Sequence, residues 1–134
     1  MYKIMKIFLP LFLLVAIFSF PVFAESISCT ECGMMVDLNS KFVAKTVQGD
    51  TTRYFCDIGD LFAYLNRNAL KEAALSVKDY TTGEWIDARK AFYVLAANKF
   101  KTPMGWGFAA FKDKESASSS GSPMDFDSAV KRAK

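Results

Sequence analysis

The first 24 residues decide how much of this 134-residue chain is left to fold. Lys3 and Lys6 precede an almost wholly apolar run over residues 7–22, and Val22-Phe23-Ala24 fits a small-residue cleavage site. This order is typical of a secretory signal peptide. The run is short for a membrane span and contains two prolines, so cleavage is favoured over a retained anchor. We therefore expect a signal peptide at residues 1–24 and one small domain at residues 25–134.

Export raises two questions about the cysteines: whether one of them carries a lipid anchor, and whether they form disulfides. A lipid anchor would need small residues just before a cysteine, and Ser26-Ile27-Ser28-Cys29 is a poor match. The sequence thus predicts a periplasmic protein without a lipid anchor, for which membrane association is possible but not required. An oxidising compartment permits disulfides. Three cysteines cannot all pair within one chain, so at least one thiol is left over.

Charge and composition argue against nucleic acid and against catalysis. Two of the 17 basic residues and none of the 14 acidic ones lie in the first 24 residues, so the expected domain has a net charge of +1. Nucleic-acid recognition would call for a basic face. Histidine is absent, which removes the commonest general base and the commonest nitrogen ligand. No Gly-x-Ser-x-Gly nucleophile elbow is present. We expect a binding protein and not an enzyme.

Hydrophobic period and turn chemistry predict a domain built from short strands and helices. Two strands flank the turn Gln48-Gly49-Asp50. Asp57 is predicted to cap a helix, with Asp60 completing a capping-box pattern. The two halves of the domain look alike, each with two strands, a helix and a strand. The predicted elements are strands over 41–47, 51–55, 75–79, 92–96, 108–111 and 123–126, and helices over 58–65, 113–118 and 128–134, the last capped by Asp127.

The densest chemical motif is the stretch from Cys29 to Met35, which holds two thiols and two thioethers within seven residues. The spacing Cys29-x-x-Cys32 lets both sulfurs point at one ion. A closed zinc site would need four Cys or His ligands, and a covalent haem site would need a histidine where Gly33 stands. Monovalent copper prefers soft sulfur ligands, so the methionines favour Cu(I). The alternative is an exported thiol–disulfide or metal-sensing module that uses Cys29 and Cys32, or a structural disulfide.

Two sulfur residues outside this stretch, Cys56 and Met104, join the hypothesis, together with Met34 inside it. Cys56 is predicted just before the helix start, where the helix dipole should make its thiolate form more readily. Met34 is favoured as a ligand, because Gly33 frees the backbone beside Cys32. Met104 lies in a glycine-flanked loop, where a side chain can stand at the mouth of a site. Met35 is instead expected to pack, since it precedes Val36. The predicted copper ligands are Cys32, Met34, Cys56, Met104 and, as an auxiliary, Cys29.

Four longer motifs follow one another through nearly the whole expected domain. The first is Cys32-Gly33-Met34. The other three are Tyr54-Phe55-Cys56-Asp57-Ile58-Gly59-Asp60 with Phe62-Ala63-Tyr64-Leu65, Trp85-Ile86-Asp87-Ala88 with Ala91-Phe92-Tyr93-Val94, and Thr102-Pro103-Met104-Gly105-Trp106-Gly107 with Ala110-Phe111.

This series resembles the NosL family, whose members are exported copper-binding accessory proteins of nitrous oxide reductase assembly. The resemblance implies an α+β fold of two ββαβ-like halves, forming one small domain with a mixed or antiparallel sheet, and one Cu(I) held by sulfur. By position, Cys32 and Met34 match the Cys-x-Met element of the family and Met104 matches its Met-Gly loop, whereas Cys29 is additional. The resemblance also implies a periplasmic chaperone, a monomer or weak dimer, whose partner is a copper-receiving enzyme or an ABC-type maturation complex.

Overall fold

A computed structural model describes residues 19–22 and 25–134. The predicted signal peptide therefore lies largely outside the described residues, and so does the end of its cleavage pattern. Within the described part, no helix combines the length and the apolar character that crossing a bilayer requires. The described part confirms an α+β fold with antiparallel sheets. Its elements are the strands β1 Ala44–Gln48, β2 Thr51–Phe55, β3 Ala74–Lys78, β4 Trp85–Asp87, β5 Phe92–Leu95 and β6 Phe108–Phe111, and the helices α1 Ile58–Arg67, α2 Lys114–Ser118 and α3 Phe126–Arg132.

The strands form two antiparallel sheets. One has four strands in the order β2-β1-β3-β4, and the other pairs β5 with β6. Gly49, with a φ of 57°, turns the chain between β1 and β2, and Ala44 comes to lie opposite Phe55. This pairing brings the end of β2 and the following residue Cys56 beside the start of β1.

Helix α1 packs its apolar face into the core. Ile58, Leu61 and Phe62 are completely buried, as the helical spacing predicted. The ring of Phe62 lies edge-on at 5.1 Å from the rings of Tyr93 and Phe108 in the second sheet. The helix thus joins the two sheets and fixes the position of its own first turn, where the chemically distinctive residues lie.

The two halves of the domain share one topology. In the first half, β1 pairs with both β2 and β3, and in the second half, β5 pairs with β6 and with an isolated bridge at Met124. A helix follows the hairpin in each half, capped by Asp57 and by Asp113 respectively. The structure thereby supports the likeness of the halves that the pattern of predicted elements suggested.

The turns that lead into the two halves also correspond. The N–H of Gly33 donates to the carbonyl of Cys29 at 2.9 Å, and the N–H of Gly83 donates to the carbonyl of Asp79 at 2.7 Å. Both glycines have a positive φ, 76° and 77°. Parallel bridges then join Cys29 to β2 and Asp79 to β6. The two turns therefore have the same backbone, but the first carries thiols where the second carries Asp79 and Thr82.

Three predicted elements need correction. The final helix begins at Phe126 and is capped by Asp125, because the Asp125 carboxylate accepts the N–H of Ser128. The edge strand predicted over 123–126 reduces to the Met124 bridge, since α3 already begins there. Residues 85–87, which we expected only to lead into the next strand, form β4 against β3.

Candidate metal centre

The turn at residues 29–34 brings Cys29 and Cys32 together on one side of the fold. The N–H of Cys29 donates to the carbonyl of Met34 at 2.7 Å, which closes the turn. The N–H of Thr30 donates to the carbonyl of Tyr54 at 2.8 Å and fastens the turn to β2. On the outer side, Glu31 forms an ion pair with Arg67 of α1. These contacts place both thiols beside the junction of β2 and α1.

Cys56 and Asp60 approach the same point from that junction. Cys56 follows the last residue of β2, and Asp60 lies in the first turn of α1. Asp57 caps the helix, since its Oδ1 accepts the N–H of Gly59 at 3.0 Å. The predicted N-cap is therefore confirmed. The capping-box role of Asp60 is wrong, because its carboxylate contacts the thiols and Trp106 instead.

The four groups form one compact cluster. The Sγ atoms of Cys29, Cys32 and Cys56 and a carboxylate oxygen of Asp60 all lie within 4.8 Å of one another. Cys32 Sγ is 3.3 Å from Cys56 Sγ. The thiols of Cys29 and Cys56 each donate to Asp60 Oδ2 at 3.5 Å. Cys29, Cys56 and Asp60 are only 3–4% exposed, whereas Cys32 is partly exposed.

Trp106 holds the Asp60 carboxylate in place. Its Nε1–H donates to Asp60 Oδ1 at 2.9 Å, which leaves Oδ2 to face the thiols. The indole lies directly against Gly59, where an added Cβ would stand 1.9 Å from Trp106 Cγ. A glycine at this position of the helix therefore makes room for the indole. The hydrogen bond from Trp106 therefore orients the Asp60 carboxylate within the cluster.

The loop with Met104 is tied to the same helix start. The N–H of Met104 donates to Asp57 Oδ2 at 3.0 Å, so Asp57 binds the helix and the loop with its two oxygens. Within the loop, the N–H of Gly107 donates to Thr102 Oγ1 at 3.1 Å. Burial raises the pKa of Asp57, although its hydrogen bonds with Thr102, Gly59 and Met104 act in the opposite direction. The loop thus stays next to Cys56 without depending on the Met104 side chain.

Two thiols of the cluster, those of Cys32 and Cys56, favour their protonated form. Burial raises the pKa of both Cys32 and Cys56, and for Cys56 the neighbouring Cys32 thiol raises it further. The expectation that the helix start would favour a Cys56 thiolate is therefore wrong for the metal-free protein. Burial outweighs the helix dipole here. A bound cation would reverse the balance, because a metal ion draws the thiolate form from a coordinating cysteine.

The predicted ligands divide into two groups. Cys29, Cys32 and Cys56 converge, although Cys29 was expected only as an auxiliary. The side chains of Met34 and Met104 are 48% and 44% exposed, and their role as ligands stays a prediction. Met35, expected to pack, is 76% exposed, because its bridge with Ser28 leaves the side chain on the surface. Asp60 was missed, since its spacing from Asp57 also fits a capping box.

The arrangement can bind a soft or borderline cation through sulfur. The three cysteines are free thiols. Three sulfurs and one oxygen within 4.8 Å of one another suit a single ion with few ligands. Three of the four ligand groups are shielded from water, and the partly exposed Cys32 leaves one approach from solvent. No second cluster of three or more such groups occurs among residues 19–22 and 25–134.

Comparisons with known proteins agree with this description. The profile of the NosL family matches residues 22–122. No curated protein matches the chain. The crystal structure of the copper chaperone NosL from Shewanella denitrificans is similar to this fold, with a TM-score of 0.63 at 21% sequence identity. The match covers 78% of this chain and 92% of that one, so it supports the fold over most of both proteins.

Proposed function

Because the chain belongs to the NosL family, we propose that it is an exported chaperone that binds one Cu(I) and passes it to a copper enzyme. The observation that carries this proposal is the convergence of Cys29, Cys32 and Cys56 at one point. Thiolate sulfur is the ligand type that Cu(I) selects over the harder divalent cations. The role is binding and transfer, without catalysis.

The uneven burial of the cluster suits a carrier. Cys29 and Cys56 are shielded by protein, whereas Cys32 is partly exposed and stands where an incoming ligand could reach the ion. Met34 and Met104 are both exposed, and their thioether sulfurs can hold the ion transiently during transfer. We propose Cys29, Cys32 and Cys56 as the holding ligands and the two methionines as transfer ligands.

The family match also supports a proposal for the partner. We propose delivery in the periplasm, after removal of residues 1–24, to nitrous oxide reductase or to an ABC-type complex that matures it. The proposal is supported by the family match and by the signal-like start of the sequence. A copper-loaded preparation should then raise the copper content of metal-free nitrous oxide reductase in an anaerobic mixture, and a free Cu(I) salt at equal concentration serves as the control.

Copper binding itself is tested by anaerobic titration against a chromogenic Cu(I) competitor. We expect one Cu(I) per chain, and weaker retention in the Cys32→Ser and Cys56→Ser variants. Met34→Leu should change the transfer rate more than the equilibrium retention. Met35→Leu is its matched control, because Met35 is the adjacent exposed methionine and is assigned no role. If the wild type retained no more copper than a Cys32→Ser, Cys56→Ser double variant, the proposal would fail.

A further inference from the structure

The cluster brings two thiols close enough to react with each other. We propose that Cys32 and Cys56, which are not adjacent in sequence, form a reversible disulfide that closes the metal centre in the copper-free protein. The inference rests in part on the proposed function, because closure has meaning only for a site that loads copper. It differs from a Cys29–Cys32 pair, which the sequence spacing alone would suggest.

Geometry selects the pair. Cys32 Sγ already lies 3.3 Å from Cys56 Sγ, and a disulfide needs the two sulfurs about 2 Å apart. Bond formation therefore requires the two sulfurs to approach each other by roughly 1 Å. The thiols of Cys29 and Cys56 both donate to Asp60 Oδ2 at 3.5 Å, so the short distance between the Cys32 and Cys56 sulfurs, and not this contact, selects the pair. Cys29 is anchored by its backbone to both the turn and β2.

The different exposure of the two thiols determines which of them reacts first with an external oxidant. Cys32 is the partly exposed member of the pair, so it meets an external oxidant first, whereas Cys56 is 4% exposed. The Cys32 thiol loses its proton, and its sulfur attacks one sulfur of a low-molecular-weight disulfide. The external S–S bond breaks, and the sulfur that leaves takes up a proton as a free thiol. Cys32 is now joined to the other half of the oxidant.

Cys56 completes the exchange. Its thiol loses a proton, and its sulfur attacks Cys32 Sγ, which expels the second half of the oxidant as a thiol. Two electrons and two protons have then passed from the protein to the external disulfide. The product holds a Cys32–Cys56 bond and one free thiol at Cys29. A dithiol reductant reverses the same steps.

Closure would remove two of the three thiolate ligands. A disulfide sulfur carries no charge and does not replace a thiolate toward copper. Conversely, a bound Cu(I) occupies Cys32 and Cys56 and should protect them from exchange. The centre would therefore load copper only after reduction and would keep its thiols intact while copper is bound.

The test is a cysteine map of the copper-free wild-type protein after incubation with glutathione disulfide. Free thiols are alkylated, and the chain is cut with trypsin and a glutamyl endoprotease. Glu31 lies between Cys29 and Cys32, and Arg53 precedes the segment with Cys56, so the three cysteines fall on separate peptides. We expect a peptide pair linked through Cys32 and Cys56, with Cys29 alkylated.

Two variants sharpen the result. Cys29→Ser should still form the linked pair. Cys56→Ser should instead retain a stable glutathione adduct on Cys32, because the resolving thiol is gone. A Cys29–Cys32 or Cys29–Cys56 link in the wild type, a persistent glutathione adduct there, or three alkylated cysteines would each overturn the proposal.

A second experiment measures how much Cu(I) the oxidised and the reduced protein retain. The oxidised wild type should retain no more Cu(I) than the Cys32→Ser, Cys56→Ser double variant, and dithiothreitol should restore retention. Protein loaded with Cu(I) beforehand should yield three alkylated cysteines after the same oxidant treatment. Unchanged retention after oxidation would refute the closing role. Absence of copper binding in the fully reduced protein would refute the proposed function and leave the peptide map to decide the disulfide.

Discussion

Replacement of Gly59 by alanine tests how Trp106 orients the cluster. An added Cβ would lie 1.9 Å from Trp106 Cγ and 2.4 Å from Trp106 Cβ, so the indole must move. Its 2.9 Å hydrogen bond to Asp60 Oδ1 would then be lost. Overpacking of this kind costs about 1–3 kcal/mol, and a hydrogen bond to a charged group contributes about 1.5–3 kcal/mol.

Helix propensity works in the opposite direction. Gly59 is the second residue of α1, and alanine is favoured over glycine in a helix by up to about 1 kcal/mol. We therefore expect Gly59→Ala to lower the free energy of unfolding of the reduced, metal-free protein by about 3 kcal/mol. Copper retention should weaken as well, because the Asp60 carboxylate loses the contact that orients it.

The assay is urea denaturation of the wild type, Gly59→Ala, Trp106→Ala and the double variant, followed by circular dichroism. Once Trp106 is removed, the space beside residue 59 is open, so Gly59→Ala should be neutral or slightly stabilising in that background. The coupling free energy should then exceed about 2 kcal/mol. An equal cost in both backgrounds would refute the packing argument.

Three further predictions concern other parts of the chain. Gly107→Ala should lower the free energy of unfolding in urea by at least about 2 kcal/mol, because the added Cβ would lie 2.4 Å from the Cα of Ala97 and the residue has a φ of 80°. Gly105→Ala is the control and should cost less, because Gly105 also has a positive φ but no atom lies within 4 Å of its added Cβ. Since burial raises the thiol pKa of Cys32 and Cys56, copper must displace protons, so retention in competitor titrations should strengthen with rising pH between about 6 and 8. The pKa of Asp113 is lowered because its carboxylate accepts the backbone N–H of Ser116 in α2. Its contribution to folding stability is therefore fully present above the pKa of the unfolded chain, about 3.9, and is lost as pH falls through the lower pKa of the folded protein. Asp113→Asn should flatten that part of an acid unfolding curve.

Local patterns predicted much of the fold. The turn at Gly49, the Asp57 cap and the apolar face of α1 all follow from residue type and spacing within a few positions. Errors arose where two local signals competed. Asp125 and Asp127 both resemble helix caps, and the structure places the cap at Asp125, whose carboxylate accepts the N–H of Ser128.

The site was harder to predict because it is assembled from distant parts of the chain. Cys29 meets Cys56 through a bridge to β2, which no spacing within the sequence encodes. Asp60 matched a local capping pattern, and its contact with Trp106 spans 46 positions. Residue chemistry did identify the sulfur-rich character of the centre, since three thiols without histidine leave few other ligand sets.

The central claim is that one Cu(I) is held mainly by the three converging thiols. X-ray absorption at the copper edge of the anaerobically loaded protein tests it most directly, because the spectrum gives the oxidation state and counts sulfur ligands. We predict monovalent copper with a ligand shell dominated by sulfur, and a lower sulfur count when Cys56→Ser is measured beside the wild type. A shell of nitrogen and oxygen alone, or a sulfur count unchanged in Cys56→Ser, would contradict the account.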